Sequence, residues 1–167
     1  MNQINFEAAE KTVQAIQKDP SLKMRKWTAQ IKWLQGVQNE VKVREFQPFH
    51  MDEPATLGGT DVAPNPVEML IAAAGSCFAI TFEVLASQNG IVLKEVSVNV
   101  EADLNAAVFL GLEEGYGGIF NPSVTIKAVT SASENEVRQI AKQALAKSPV
   151  LASLKHEVQL RFDLVGE

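Results

Sequence analysis

Residues 65–90 read NPVEMLIAAAGSCFAITFEVLASQNG, and the fold turns on this stretch. Asn65, Pro66 and Glu68 make a helix start: an N-cap, a proline at the first helical position, and a carboxylate placed to close a capping box. Asn89-Gly90 supplies the stop, so the spacing predicts a helix from Pro66 to about Gln88. The helix is apolar nearly all the way round, which predicts burial on several sides. Its middle, Ala72-Ala73-Ala74-Gly75-Ser76, lets another backbone approach closely. Two arrangements satisfy this: a core helix within a monomer, or a helix packed against its own copy across a dimer interface. The apolar run from Met69 to Ala86 reaches the lower length for a membrane span. Glu83 inside it, and the lack of a flanking positive cluster, argue against one.

On the N-terminal side, Phe6, Ala9, Val13 and Ile16 stand three or four apart and predict a short amphipathic helix over about 5–18, ended by Asp19-Pro20-Ser21. From Trp27 the period changes to two: Trp27, Ala29, Ile31 and Trp33 share one face of a strand. Gly36 offers a turn, and Val37, Val41 and Val43 mark a hairpin partner running to about Phe46. Residues 47–66 are rich in Pro, Gly, Asp and Thr and read as a loop, where sites are found more often than on strands. Beyond Gly90, Val96, Val98, Val100, Ala102 and Leu104 predict a long strand. A glycine-bearing connection covers 107–118, and Val124, Ile126 and Ala128 mark the next strand. Ser133 and Glu136 form a second capping box, opening a helix with Val137, Ile140, Ala141, Ala144 and Leu145 on its apolar side. Ser148-Pro149 ends it, a turn covers 150–154, and Val158, Leu160, Phe162 and Leu164 predict a closing strand. Consecutive strands imply an antiparallel sheet with segregated helices, hence α+β. The chain reads as one domain over 1–167, with 1–22 a helical extension and 27–165 the core.

The 167 residues are 46% hydrophobic and 21% charged, which fits a globular chain. Twenty acidic against fifteen basic side chains give a net charge of -5, so no broad electropositive surface is expected and nucleic acid is a poor partner. The start, MNQINFEAAEKTVQAIQKD, lacks the apolar segment of a secretory signal, and a cytoplasmic protein is expected. The lone cysteine, Cys77, excludes an intramolecular disulfide. With only His50 and His156 beside it, one chain cannot assemble a Cys/His zinc site, and no metal is expected.

Cys77 lies about three turns into the helix, where the helix dipole does little to activate a thiol. Activation there calls for a nearby cation, and without one the side chain serves as a small core hydrophobe. Arg44, near the end of the second strand, is either that cation or an exposed strand arginine. Glu68 precedes Cys77 by nine residues. At about 100° per residue it faces away from the thiol, which makes it a capping acid unless it reaches a partner chain. Asp52, Glu53 and Asp61 could bind a metal, orient a base or simply be solvated. Gly58-Gly59 lacks the strand and helix spacing of a phosphate loop.

Taken together, Asp52-Glu53-Pro54, Leu57-Gly58-Gly59-Thr60-Asp61, Pro64-Asn65-Pro66-Val67-Glu68, Ala73-Ala74-Gly75-Ser76-Cys77 and Ser148-Pro149-Val150 resemble the OsmC/Ohr family of peroxide-related proteins. The resemblance runs from about Trp27 to Leu164 and is most specific from Asp52 to Cys77. Phe109-Leu110-Gly111-Leu112 is similar to one branch of OsmC-like proteins. The resemblance implies an obligate, intertwined α+β homodimer, with long buried central helices back to back and two sites at the interface.

It also implies reduction of organic hydroperoxides as part of an oxidative-stress response. In that family a reactive cysteine on the central helix attacks the peroxide, an arginine and a glutamate position it, and a second cysteine in a late Cys-Pro turn resolves the sulfenic acid. Cys77 matches the reactive cysteine, while Ser148 stands where the second would be. The family's glutamate position falls on Val67, with Glu68 next to it, and Arg44 is the candidate arginine. Cys77, Arg44 and Glu68 are therefore the candidate catalytic residues. An internal disulfide cannot close, so turnover would need an external thiol or dithiol and no other cofactor. The readings are a one-cysteine hydroperoxide reductase, a non-catalytic protein binding a small apolar ligand at the dimer interface, or a structural homodimer with Cys77 as core filler.

Overall fold

The structure is a computed structural model that describes residues 2–154. The chain divides into two compact units, one ending at Ala72 and the other beginning at Ala73. The boundary falls inside the long helix.

The first unit opens with α1 (Phe6–Lys18), capped by the Asn5 side chain, which accepts the Ala8 N–H at 3.1 Å. Asp19 and Pro20 end it as expected, and none of its residues is buried. Strands β1 (Gln30–Gln35), β2 (Gln38–Lys42) and β3 (Phe49–Met51) form an antiparallel sheet in that order. The hairpin turns at Gly36, whose φ of 51° suits a residue without a Cβ, and Trp33 Nε1 donates to the Gly36 carbonyl at 2.9 Å. Ile31 pairs with Val41, and Val41 in turn pairs with Phe49. Central Val41 is buried, but β1 is exposed along its whole length, with Trp33 67% exposed and Trp27, just before the strand, 80%. The strand begins at Gln30 rather than Trp27, and β3, read from sequence as loop, is a three-residue strand too short to show a period.

The long helix, α2, spans Pro66–Gln88. Asn65 Oδ1 accepts the Glu68 N–H at 2.9 Å while Glu68 Oε2 accepts the Asn65 N–H at 2.8 Å, the reciprocal pair of a capping box. At the other end, Gly90 (φ 75°) donates to the Ser87 carbonyl and Ile91 to the Ala86 carbonyl, a Schellman closure that favours glycine. Among the described residues α2 is the one helix long and apolar enough to cross a membrane.

In the second unit, β4 (Leu93–Asp103) and β5 (Phe120–Thr130) pair antiparallel, with Val96 opposite Ala128, Val98 opposite Ile126 and Val100 opposite Val124. The connection between them contains a single helical turn, α3 (Ala106–Phe109). Helix α4 (Glu134–Lys147) starts at the expected Ser133/Glu136 capping box. Pro149 then begins a further short helix, α5 (Pro149–Ser153), where the sequence suggested a turn. A proline that stops one helix is also preorganised for the first position of the next.

The core of this unit is Phe78, Phe82, Leu85 and Ala86 of α2 with Ile91 and with Ile140 and Ala144 of α4. Val96, Val98, Val124, Ile126 and Ala128 of the sheet pack against it. A methyl group at Gly75 would stand 2.9 Å from Val100 Cγ2, so the small residue lets helix and strand approach. Residues 158–164, read as a closing strand, lie outside the described residues.

Candidate functional site

Cys77 sits on α2 in the second unit and is partly buried. Its neighbours explain this. Ala74, Gly75 and Phe78 are buried on the sheet side of the helix, whereas Ala73, Ser76 and Ile80 are exposed. Ala73, Ser76, Cys77 and Ile80 follow helical spacing and form one stripe, so the thiol stands at the border between core and solvent. Thr81 Oγ1 donates to the Cys77 carbonyl at 2.8 Å and leaves the sulfur aside. Cys77 is thus neither part of the buried core nor fully exposed.

The other two candidates belong to the first unit. Arg44 lies in a turn beyond the end of β2 rather than on the strand, with φ at 48°. Its guanidinium covers the Phe46 ring at 4.5 Å from the centroid, a cation–π contact within its own turn. Glu68 is occupied in the capping box described above, the role its half-turn offset from Cys77 suggested. Each of these side chains is thus engaged locally.

The loop acids separate clearly. Asp52 is 1% exposed, and its carboxylate accepts hydrogen bonds from Gln38, Glu53, Thr60 and Val62. Oδ2 accepts the Thr60 hydroxyl at 2.7 Å, the Thr60 N–H at 3.0 Å, the Val62 N–H at 3.4 Å and Gln38 Nε2 at 3.5 Å. Oδ1 accepts the Glu53 N–H at 2.9 Å. The Thr60 hydroxyl, joined by the Glu53, Thr60 and Val62 amides, outweighs burial and holds this carboxyl well below the usual carboxylate range. Asp52 is therefore the clasp of the 52–64 loop. Gly58 (φ 85°) ends a short helical turn within it, and at Gly59 a Cβ would lie 1.7 Å from the Glu53 carbonyl oxygen, so no side chain fits. No local sequence signal reveals Gln38 and Thr60 as partners of Asp52, because they join it from 14 and 8 residues away. Among the described residues, no three His, Cys, Asp or Glu side chains cluster as metal ligands.

The lowered Asp52 value has a definite sign. Its stabilisation is present in full above the unfolded carboxyl's value of about 4 and is lost as pH falls below that towards the folded value. Between pH 5 and pH 2.5 the wild-type melting temperature should therefore fall, and Asp52→Asn should remove this clasp's share of the fall. The amide faces five donors with one acceptor oxygen, so the variant should also melt roughly 5 °C or more lower at pH 7. Thermal unfolding followed by circular dichroism at several pH values measures both effects.

Ser148, at the end of α4, is fully buried, and its Oγ has no hydrogen-bond partner among the described residues. An orphaned buried hydroxyl is destabilising, so Ser148→Ala should raise unfolding stability by about 1 kcal/mol, read by urea titration.

A match to the family described as OsmC-like protein covers residues 58–163 and takes in Cys77, Gly59 and Ser148. The chain belongs to the OsmC-like family. No curated protein matches it. Among solved structures, an OsmC-like protein from Mycoplasma pneumoniae has a TM-score of 0.67 at 15% identity, covering 78% of this chain and 88% of that one. An organic hydroperoxide resistance protein OsmC from Legionella pneumophila has a TM-score of 0.59 at 22% identity, covering 79% of this chain and 90% of that one. An organic hydroperoxide resistance protein from Elizabethkingia anophelis, with thiocyanate bound, scores 0.59 at 19% identity, covering 78% and 88%. At these identities the likeness establishes the OsmC-like fold, a mixture of helices and antiparallel sheets.

Proposed function

We propose that this OsmC-like chain is a one-cysteine organic hydroperoxide reductase of the oxidative-stress response, working in the cytoplasm on an external thiol. The observation that carries the reading is the placement of Cys77, half-buried on the open stripe of α2. In the first step the Cys77 thiol attacks the outer peroxide oxygen. The O–O bond breaks, an S–O bond forms, and the organic fragment leaves as an alcohol with the proton, giving Cys77 sulfenic acid. One external thiol then displaces water to form a mixed disulfide, and a second releases Cys77 and carries away the disulfide. Ser148 at the place of a second cysteine makes that external reductant obligatory.

Cys77 carries the chemistry of this reading, while Arg44 is engaged on the Phe46 ring and Glu68 in the first turn of α2 rather than in proton transfer. The working unit is a homodimer. Ile80, 57% exposed, together with Ala73 and Ser76, gives α2 an apolar face that a second copy would cover. The exposed face of β1, with Trp33, supports the same arrangement. Neither a membrane nor a nucleic acid enters this reading.

The test is the loss of an organic hydroperoxide in the presence of excess dithiol, followed for the wild type and for Cys77→Ser. Equal loss in both overturns the reading. Saturable binding of an apolar ligand beside Cys77 without any peroxide loss would favour a non-catalytic binding protein instead.

A further inference from the structure

We infer that the end of α1 and the segment that follows it dock on an anionic lipid surface. Residues 18–27 read KDPSLKMRKW. They hold four cations, Lys18, Lys23, Arg25 and Lys26, against one acid, Asp19, while the rest of the chain holds eleven cations against nineteen acids. The net charge of -5 therefore conceals one short positive stretch.

Its charges are available to a partner. All four cations are exposed, and none has an ion pair among the described residues. The Asp19 carboxylate is held by its own turn, accepting the Ser21 hydroxyl at 2.7 Å and the Ser21 N–H at 3.0 Å. On α1, Glu7 pairs with Lys11, and Glu10 lies more than two turns before Lys18.

Exposed apolar side chains stand between the cations: Leu22, Met24 and Trp27 are 38%, 79% and 80% exposed. Met24 and Trp27 belong to no helix or strand. Upstream, Val13 on the apolar stripe of α1 is also exposed, and nothing in α1 or in the helical turn Pro20–Lys23 is buried. An anionic bilayer complements this alternation, because its head groups attract lysine and arginine while tryptophan and methionine enter the boundary with the acyl chains. A nucleic acid would satisfy the cations and stack on Trp27 but leave Val13, Leu22 and Met24 in water. The peroxide chemistry at Cys77 does not require this docking.

The test is flotation of the full-length protein with vesicles of phosphatidylcholine, with and without about 30% phosphatidylserine. Binding to the anionic vesicles should be at least tenfold tighter than to the neutral ones, and should weaken as salt rises from about 0.1 M to about 0.5 M. The triple variant Lys23→Glu, Arg25→Glu, Lys26→Glu and the double variant Met24→Ser, Trp27→Ser should each lose at least tenfold, both remaining folded by circular dichroism. In Trp33→Phe, which leaves Trp27 as the single tryptophan, anionic vesicles should shift the fluorescence to the blue. Absence of binding, equal affinity for neutral vesicles, or unchanged affinity in both multiple variants would overturn the inference. Tighter binding to a single-stranded oligonucleotide than to the anionic vesicles would overturn it as well, in favour of a nucleic acid.

Discussion

Cys77→Ser should consume cumene hydroperoxide no faster than the dithiol in the buffer does alone. The wild type should consume it for as long as the dithiol lasts. A serine hydroxyl is nearly isosteric with the thiol but is not readily oxidised, so the variant keeps the packing and loses the chemistry. A loss of at least about 100-fold is expected, equivalent to about 2.7 kcal/mol of transition-state stabilisation. Cys77 is only partly buried and its sulfur is not part of the Phe78, Phe82 and Leu85 core, so the melting temperature should change little. Without a dithiol, the wild type should stop after about one equivalent of peroxide per chain, because the sulfenic acid has no internal partner. Continued turnover without any thiol would rule out the one-cysteine cycle.

Ile80→Glu should convert a dimer into a monomer. Light scattering coupled to size exclusion should give the wild type the mass of two 18.2 kDa chains and the variant the mass of one. Within a single chain Ile80 is exposed, so glutamate there does not disturb folding. Across a two-fold axis the same substitution buries a carboxylate from each copy without a partner. Removing the partner of a buried charge destabilises by about 3–5 kcal/mol, and a similar penalty here weakens dimerisation by about 100-fold or more. A wild-type protein of single-chain mass would contradict the dimer. If dimer and site depend on each other, Ile80→Glu should also lower peroxide consumption while leaving Cys77 in place.

Features built from neighbours were readable in the sequence. Both capping boxes, Asn65 with Glu68 and Ser133 with Glu136, close within four residues, so their meaning does not depend on the rest of the chain. The alternation of β4 and β5 is equally plain because one of their faces meets a continuous core.

What depends on distant contacts was not readable. Asp52 is indistinguishable from a solvated loop acid until Thr60 and Gln38 fold onto it. The period of β1 puts Ile31 and Trp33 on one face, and that face is exposed, because periodicity reports that a face is apolar without reporting what covers it. Likewise α2 is apolar all round, while one chain buries only the side bearing Ala74, Phe78, Phe82 and Leu85. Arg44, expected near a strand end, lies in a left-handed turn with its guanidinium over the Phe46 ring. Of the candidate site, the position of the thiol was legible and its surroundings were not.

The most direct test of a reactive Cys77 is to trap its first product. The protein is treated with one equivalent of cumene hydroperoxide in the presence of dimedone, which adds to sulfenic acids, and is then digested for mass spectrometry. The account predicts dimedone on the peptide carrying Cys77 and an equal quantity of cumyl alcohol released. An unmodified Cys77 with the peroxide intact would contradict it.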